Sequence, residues 1–381
     1  MRILVVTATY APSTNGIAIS LFQQKSELEN RGHQVIVIAP HHPKEIPEKD
    51  VIRIPSLPNP FASDYPIPIP LVVISKFVLD VSKTDVVYFH HPFYIGHVAL
   101  NFAKSMKVPS IFFYHTQYRK YAMNYIPNLA LFSAIPNMIS KHVNSVINRS
   151  SAVIVETRSI ASELMGQGIT KNINVIPTGR KFPNQTQEPK EKLKIRYLVP
   201  QGKIIVLTVA RLSKEKNIIS LLRVFGRLKN SAQAVLVITG DGPERKKLEN
   251  FCKEKNIKDV IFTGNVPFTK IQELYQLADI FAYPSVTDTQ AVVLSEAMNF
   301  GLSLIGYSAP GPIDFINHGE NGYIAQNESD FSSLLDQLIS NQELRIKMGA
   351  KSYEDSKKYT LENSVNILEK LLQDLVSKNL H

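Results

Sequence analysis

Apolar runs of strand length alternate with longer amphipathic stretches along most of the chain. In the first half the strand-like runs are RILVVTA, QVIVIAP, VVYFHH, SIFFYHT and AVIVET. The spacing between them predicts helices over residues 17–31, 95–106 and within 121–148. The runs are apolar at nearly every position rather than at alternate ones, so the sheet is covered on both faces. Strand–helix–strand succession makes that sheet parallel. Residues 177–203, rich in proline and charge, interrupt the rhythm and read as a linker followed by a short helix. Alternation then restarts with IIVLTVA, AVLVITG, VIFTG, DIFAYPS and LSLIGY. The expected fold class is α/β, with one parallel-sheet domain over 1–178, a linker over 179–199 and a second domain over 200–355. The last helix, within 356–381, either extends the second domain or crosses back onto the first.

A length of 381 residues exceeds one ordinary core and suits two such Rossmann-like domains. An apolar fraction of 44% with 20% charged residues describes a globular chain rather than a disordered one. The single cysteine, Cys252, excludes a disulfide framework and a cysteine-rich metal site, and fits a reducing compartment. The opening MRILVVTATYAP has too short an apolar run for a signal peptide and reads as a first strand. Residues 66–79 are apolar but broken by proline and shorter than the roughly 20 residues a membrane span needs.

Charge changes the picture more than composition does. The net charge of +10 favours anionic partners, and its distribution is uneven. Residues 86–155 contain no Asp or Glu, yet hold Lys104, Lys107, Arg119, Lys120, Lys141 and Arg149 among many aromatic residues. A basic, aromatic surface is what a protein lying on anionic lipid needs. The same aromatics also suit a core, and those of SIFFYHT belong there. A nucleic-acid binder would show the same net charge, but no recognition motif accompanies it.

In open parallel sheets ligands bind beyond the carboxyl ends of the strands, so those ends carry the candidate chemistry. The first run leads through TATYAPSTNG to a helix opening near Gly16, where backbone N–H groups suit a phosphate or simply make a turn. VVYFHH ends in His90 and His91, and SIFFYHT in His115. Their spacing matches no zinc motif and no acid accompanies them, so hydrogen bonding by His115 is preferred to a metal. TVARLSKEKN puts Arg211 and Lys216 after the first strand of the second domain, a pair able to neutralise a diphosphate or to lie solvated at a helix start. VITGDGPERKKLE is neither a G-x-G-x-x-G nor a Walker loop. SVTDTQAVVLSEAM places Asp288 just before an apolar helix and Glu296 inside it, with Gly301 as the helix stop. Locally the two carboxylates are either an N-cap and a solvated residue or a ligand-binding pair.

The ordered set HHPF, YHT, PTG, ARLSKEKN, GDGPE, TGNVP, ADIFAYPS and TDTQAVVLSEAMNFG resembles the GT-B glycosyltransferases of family GT4, from residue 1 to about 360. HHPF, YHTQY and TDTQ look most like the subgroup that glucosylates diacylglycerol, and phosphatidylinositol mannosyltransferases are similar too. The resemblance implies two Rossmann-like domains facing across a cleft. It implies retaining transfer of a hexose from a nucleotide-diphosphate sugar, first UDP-glucose and next GDP-mannose, with no cofactor and no metal. Asp288 would bind donor sugar hydroxyls and Glu296 the ribose. The backbone of Ala291, Val292 and Val293 would hold the diphosphate with Arg211 and Lys216, approached by Gly16. His115 would lie near the reacting sugar, through its carbonyl or its ring. Asn265 and Val266 would line the base pocket, and Gly240, Thr289 and Gln290 complete the donor set. Arg119, Lys120 and Lys141 would face lipid headgroups at the acceptor, placing the enzyme peripherally on the inner face of the cell membrane. Three departures stand out: Asp288 replaces the usual Glu, Ala291 the usual Gly, and the Asp that relatives often carry near Ala8, at the end of the first strand, is missing. The competing readings are a soluble acceptor and a sugar-nucleotide binder without catalysis.

Overall fold

The computed structural model describes residues 1–13, 15–57, 59, 66–69, 83–115, 117–118, 134–181, 186–267, 269–286 and 291–379. The chain divides into two compact units: Met1–Lys181 with Thr360–His381, and Phe182–Tyr359. The division falls inside the stretch read as a linker. The C-terminal helix is counted with the first unit, not with the second that precedes it.

The first unit is built on β1 (Arg2–Val6), β2 (Gln34–Pro40), β3 (Val51–Ile54), a short antiparallel hairpin β4 (Ser56–Leu57) and β5 (Ile67–Pro68), then β6 (Val86–Phe89), β7 (Ser110–Tyr114), β8 (Ala152–Val155) and β9 (Ile173–Val175). Seven of these form one parallel sheet in the order β3-β2-β1-β6-β7-β8-β9. Helices α1 (Gly16–Asn30), α2 (Tyr94–Met106), α3 (Ala134–Arg149), α4 (Arg158–Gly166) and, from the chain end, one over Leu361–Asn379 cover it. Alternate residues of the central strands feed two cores. Val87, Phe112 and Val153 pack on the side of Leu100, Val146 and Leu164. Tyr88, Phe113 and Ile154 pack on the side of Leu21, Val365 and Leu368. The C-terminal helix is pinned to α1 by Arg31 (3.0 Å) and His33 (2.8 Å), both bound to Glu369.

The second unit opens on α5 (Lys190–Arg196), within the expected linker. Its sheet contains β10 (Ile204–Val209), β11 (Ala234–Thr239), β12 (Val260–Gly264), β13 (Ile280–Tyr283), β14 (Ser303–Tyr307) and β15 (Gly322–Ala325), in the order β12-β11-β10-β13-β14-β15. Helices α6 (Ile218–Phe225), α7 (Arg245–Glu254), α8 (Ile271–Leu277), α9 (Val292–Asn299), α10 (Pro312–Phe315), α11 (Glu328–Ser340) and α12 (Gln342–Ser356) connect the strands, and the C-terminal helix is α13. Gly301, at φ +68, follows the end of α9 as the sequence predicts.

The continuous apolar runs all appear as strands. β3, β9 and β15 escape that signal because each lies at a sheet edge and is only partly buried. Edge strands need no continuous apolar pattern. Of the helix expected within 121–148, α3 is described from residue 134; residues 119–133 lie outside the described residues. Among the described residues no helix is long and apolar enough to cross a membrane.

Candidate functional site

In the first unit, topology brings four neighbouring strand ends together. β6, β7, β8 and β9 lie side by side, and the chain just past them supplies His90, His115, Glu156 and Thr178. His90 Nδ1 and His115 Nε2 lie 2.7 Å apart. His115 Nδ1 lies 2.9 Å from Glu156 Oε1, and Thr178 Oγ1 donates to that same oxygen at 2.8 Å. The two imidazoles lie nearly coplanar, edge to edge, with centroids 4.9 Å apart and planes 10° apart, and Phe113 packs on His115 at 3.9 Å. All four groups are buried. Beside them the Ala8 N–H donates to His91 Nδ1 at 3.1 Å. Burial holds His90 well below the usual imidazole range, and the His115 and His91 charges push the same way. Burial and then His115 push His91 down to about 3.

Glu156 corrects one expectation, that no acid accompanies these histidines. It closes AVIVE at a strand end, where the strand-end rule would have found it. A metal among these groups is not what the geometry offers, since the ring nitrogens of His90 and His115 point at each other. Among the described residues no group of three metal-ligating side chains is placed to hold an ion.

At the neighbouring strand β1, the chain turns into α1 through Thr9 and Asn15. The Asn15 amide donates to Thr9 Oγ1 (2.7 Å), and its carbonyl oxygen accepts from the Ala18 N–H (3.0 Å), capping the helix. Gly16 is exposed, with open space where a Cβ would stand, and the first turn carries no acid. That surface is free for an anion.

In the second unit, three strand-end loops are knit by backbone bonds into one rim. Gly240 N–H donates to Gly264 O (2.9 Å), Leu212 N–H to Asp241 O (2.9 Å) and Glu244 N–H to Leu212 O (2.9 Å). The loop after β10 carries Arg211, whose exposed guanidinium has no ion-pair partner among the described residues. Lys216 is half-buried in a short 3-10 turn, followed by Asn217 in the left-handed conformation at φ 54. Asn217 Nδ2 donates to Pro284 O (3.2 Å), tying this loop to the end of β13, the strand that leads to α9. α9 starts at Val292 after its N-cap Ala291, whose side chain makes no cap bond. Glu296 is buried in the helix, 8% exposed, and accepts from the Tyr275 hydroxyl at 2.7 Å. A solvated carboxylate is therefore excluded for Glu296.

One expected donor residue has a backbone reason of its own to be glycine. Gly240, at φ +125, would put a Cβ 2.0 Å from the Ala210 carbonyl oxygen. Its glycine is required by backbone packing whether or not a ligand comes near. Gly264, at φ +71, backs onto the Arg245 guanidinium; Asn265 after it is exposed and Val266 half-buried. Asp288, Thr289 and Gln290 lie outside the described residues, as do Arg119 and Lys120. Lys141 is exposed on α3, which also exposes Met138 (66%), while Phe93 nearby stacks on His142 at 5.5 Å. Glu156, Thr178 and Tyr275 are the functional candidates that sequence reasoning passed over.

Comparison with known proteins gives the family of both units. The family described as Glycosyltransferase Family 4 matches residues 14–180, and Glycosyl transferases group 1 matches residues 189–355. The alpha-monoglucosyldiacylglycerol synthase of Acholeplasma laidlawii is 29% identical over 100% of this chain and 98% of its own length. The enzyme of that name from Streptococcus pneumoniae is 30% identical over 90% of this chain and 80% of its own. A GDP-mannose-dependent alpha-mannosyltransferase of Corynebacterium glutamicum is 29% identical over 85% and 76%. Among solved structures, Anabaena HepE in complex with UDP superposes with a TM-score of 0.77 at 17% identity, covering 98% of this chain and 100% of that one. That likeness speaks for the fold.

Proposed function

We propose that this chain, which belongs to the family 4 glycosyltransferases of GT-B fold, moves a hexose from a nucleotide-diphosphate sugar to the hydroxyl of a lipid acceptor such as diacylglycerol. The observation that carries the reading is the second unit's rim. A guanidinium with no ion-pair partner among the described residues and a helix start whose N-cap, Ala291, makes no side-chain cap bond follow adjacent strands, and that helix holds a buried carboxylate, Glu296. Arg211, Lys216 and the N–H groups opening α9 suit a diphosphate, and Glu296, oriented by Tyr275, suits ribose hydroxyls.

The bond between the anomeric carbon and the diphosphate breaks, and negative charge grows on the departing oxygen. Fixed cations and backbone donors there stabilise the transition state without a metal. The acceptor hydroxyl attacks from the side the diphosphate leaves, so configuration is retained, and its proton goes to the leaving phosphate oxygen. UDP-glucose is the donor favoured, because both synthases above are named for monoglucosyldiacylglycerol. A second reading, transfer of mannose from GDP-mannose to phosphatidylinositol or to a soluble acceptor, is favoured by the mannosyltransferase relative. The exposed apolar and basic side chains of α3 suit an anionic lipid surface, where the acceptor would be met.

The test is the full chain with EDTA and diacylglycerol in anionic vesicles, offered UDP-, GDP- and ADP-sugars in turn. One donor should be consumed, giving an α-linked glycolipid unaffected by EDTA. Turnover of GDP-mannose alone would select the second reading. No turnover and no binding heat with any donor would overturn both readings. Inhibition by EDTA would overturn the metal-free chemistry.

A further inference from the structure

The row His90–His115–Glu156–Thr178 is more closely determined than an assignment of His115 alone requires. We propose that Glu156 and His90 are positioning residues of the transfer reaction, clamping the His115 ring by both nitrogens so that neither is open to the acceptor hydroxyl. The inference rests on the transferase reading, in which His115 lies by the reacting sugar.

A carboxylate only accepts, so the 2.9 Å contact with Glu156 places a proton on His115 Nδ1. The other nitrogen, Nε2, is taken by His90 Nδ1 at 2.7 Å, and one proton lies between them whichever ring owns it. Both ring nitrogens are therefore engaged in either protonation state of His115. One face of the ring is covered too, by Phe113. Such a ring cannot take a proton from an incoming hydroxyl without breaking the His90 contact, and the acceptor's proton departs with the diphosphate instead. What His115 presents to a sugar is its main chain, held in place by a ring locked from behind.

The clamp is built, not incidental. Glu156 has two partners among the described residues, His115 and Thr178, both on Oε1. A carboxylate 7% exposed is costly to bury, and among the described residues no Lys or Arg pairs with it. His90, 1% exposed, leaves its Nε2 buried with no hydrogen-bond partner among the described residues. A chain retaining these costs in a row of four adjacent strand ends is using the geometry they impose. Glu156 is also a carboxylate in the half where sequence reading found none near the reacting centre. It stands behind the His115 ring, so it is not a nucleophile for a covalent sugar intermediate.

Two measurements test the proposal on the full chain. Long-range proton–nitrogen NMR of the histidine rings reads the tautomers directly and needs no substrate. His115 should show a protonated Nδ1 that loses its strong hydrogen bond in Glu156→Gln. A bare Nδ1 in the wild type would overturn the clamp. Kinetics then read the role. Glu156→Gln should lower kcat about tenfold or more with the donor KM within about twofold, because a displaced ring shifts what it supports. His90→Phe keeps an aromatic ring beside His115 but removes the partner of its Nε2. It should lower kcat with the donor KM within about twofold and shift the His115 Nε2 signal while the Nδ1 contact with Glu156 is kept, which a packing defect would not do. Wild-type kcat and unaltered ring signals in both variants would sink the positioning role while leaving the transferase reading intact. A wild type inert toward every donor would sink the transferase reading, and this role with it, even where the ring spectrum is as expected.

Discussion

The two units use the same sheet architecture and the same edge of it, yet they equip that edge in opposite ways. The first lines up buried rings and a carboxylate that hydrogen-bond one another. The second leaves a cation exposed with no ion-pair partner among the described residues and knits its loops largely through backbone bonds. A hydrogen-bonded row fixes geometry; an exposed guanidinium and a helix start supply field. The difference suits a reaction in which one partner must be placed and the other carries the charge.

The strongest way to break the comparison is to remove the field. Arg211→Ala with Lys216→Ala should cost about 3–6 kcal/mol of transition-state binding, a fall of roughly 10²–10⁴ in kcat/KM. For Arg211→Ala alone the melting temperature should stay within a few degrees, since its guanidinium is exposed and has no ion-pair partner among the described residues. A loss smaller than tenfold would mean that the second unit does not work through these charges. The gap between this fall and that of Glu156→Gln measures how unequally field and placement are divided.

Two glycines sharpen the contrast at the level of backbone. Gly240 stands at φ +125 with the Ala210 carbonyl in the way of any Cβ. Gly240→Ala should therefore destabilise the second unit by about 2–4 kcal/mol, read by denaturant unfolding. Gly16 has open space and ordinary helical surroundings. Gly16→Ala should leave stability within about 1 kcal/mol while weakening donor binding measured by titration calorimetry. A destabilised Gly16→Ala with unchanged donor affinity would assign that glycine to the turn, and the first unit would lose its part in holding phosphate.

Much of the fold was legible because a parallel sheet buried on both faces writes continuous apolar runs such as AVLVIT and SIFFY. The edge strands VIRI, INV and GYIA were not, since half-exposed edges carry no such run. The second unit's chemistry was legible because Arg211, Lys216 and Glu296 lie in short, ordered motifs. The first unit's was legible only as single histidines. Glu156 and Thr178 stand 41 and 22 positions from their hydrogen-bond partners, and only the strand order β6-β7-β8-β9 makes them neighbours. Tyr275 was hidden for the same reason: an apolar-looking helix residue became the partner of Glu296 through packing. Gly240 shows the converse case, a motif glycine that its own backbone neighbour demands whether or not a ligand comes near.

The smallest effect separates the two units by pH. His90 and His91 are held neutral in the fold, below the value they regain on unfolding, and His97 is lowered too, chiefly by burial. Below about pH 6.5 the unfolded chain therefore binds more protons than the folded one, so stability is complete above that pH and falls as pH drops. Each fully buried histidine contributes up to about 1.4 kcal/mol per pH unit over that window. The second unit contains no comparable pair; its Asp355 carboxyl is lowered instead, where burial opposes and Lys358 and Lys351 prevail. A lowered carboxyl keeps its stabilisation until pH falls through the carboxylate range, near pH 4. Hydrogen exchange at pH 7 and pH 5, corrected for intrinsic rates, should show protection lost in β1, β6 and β7 and kept in β10, β11 and β14. Equal loss in both sheets would mean that the histidine row is not where the first unit stores its sensitivity to acid.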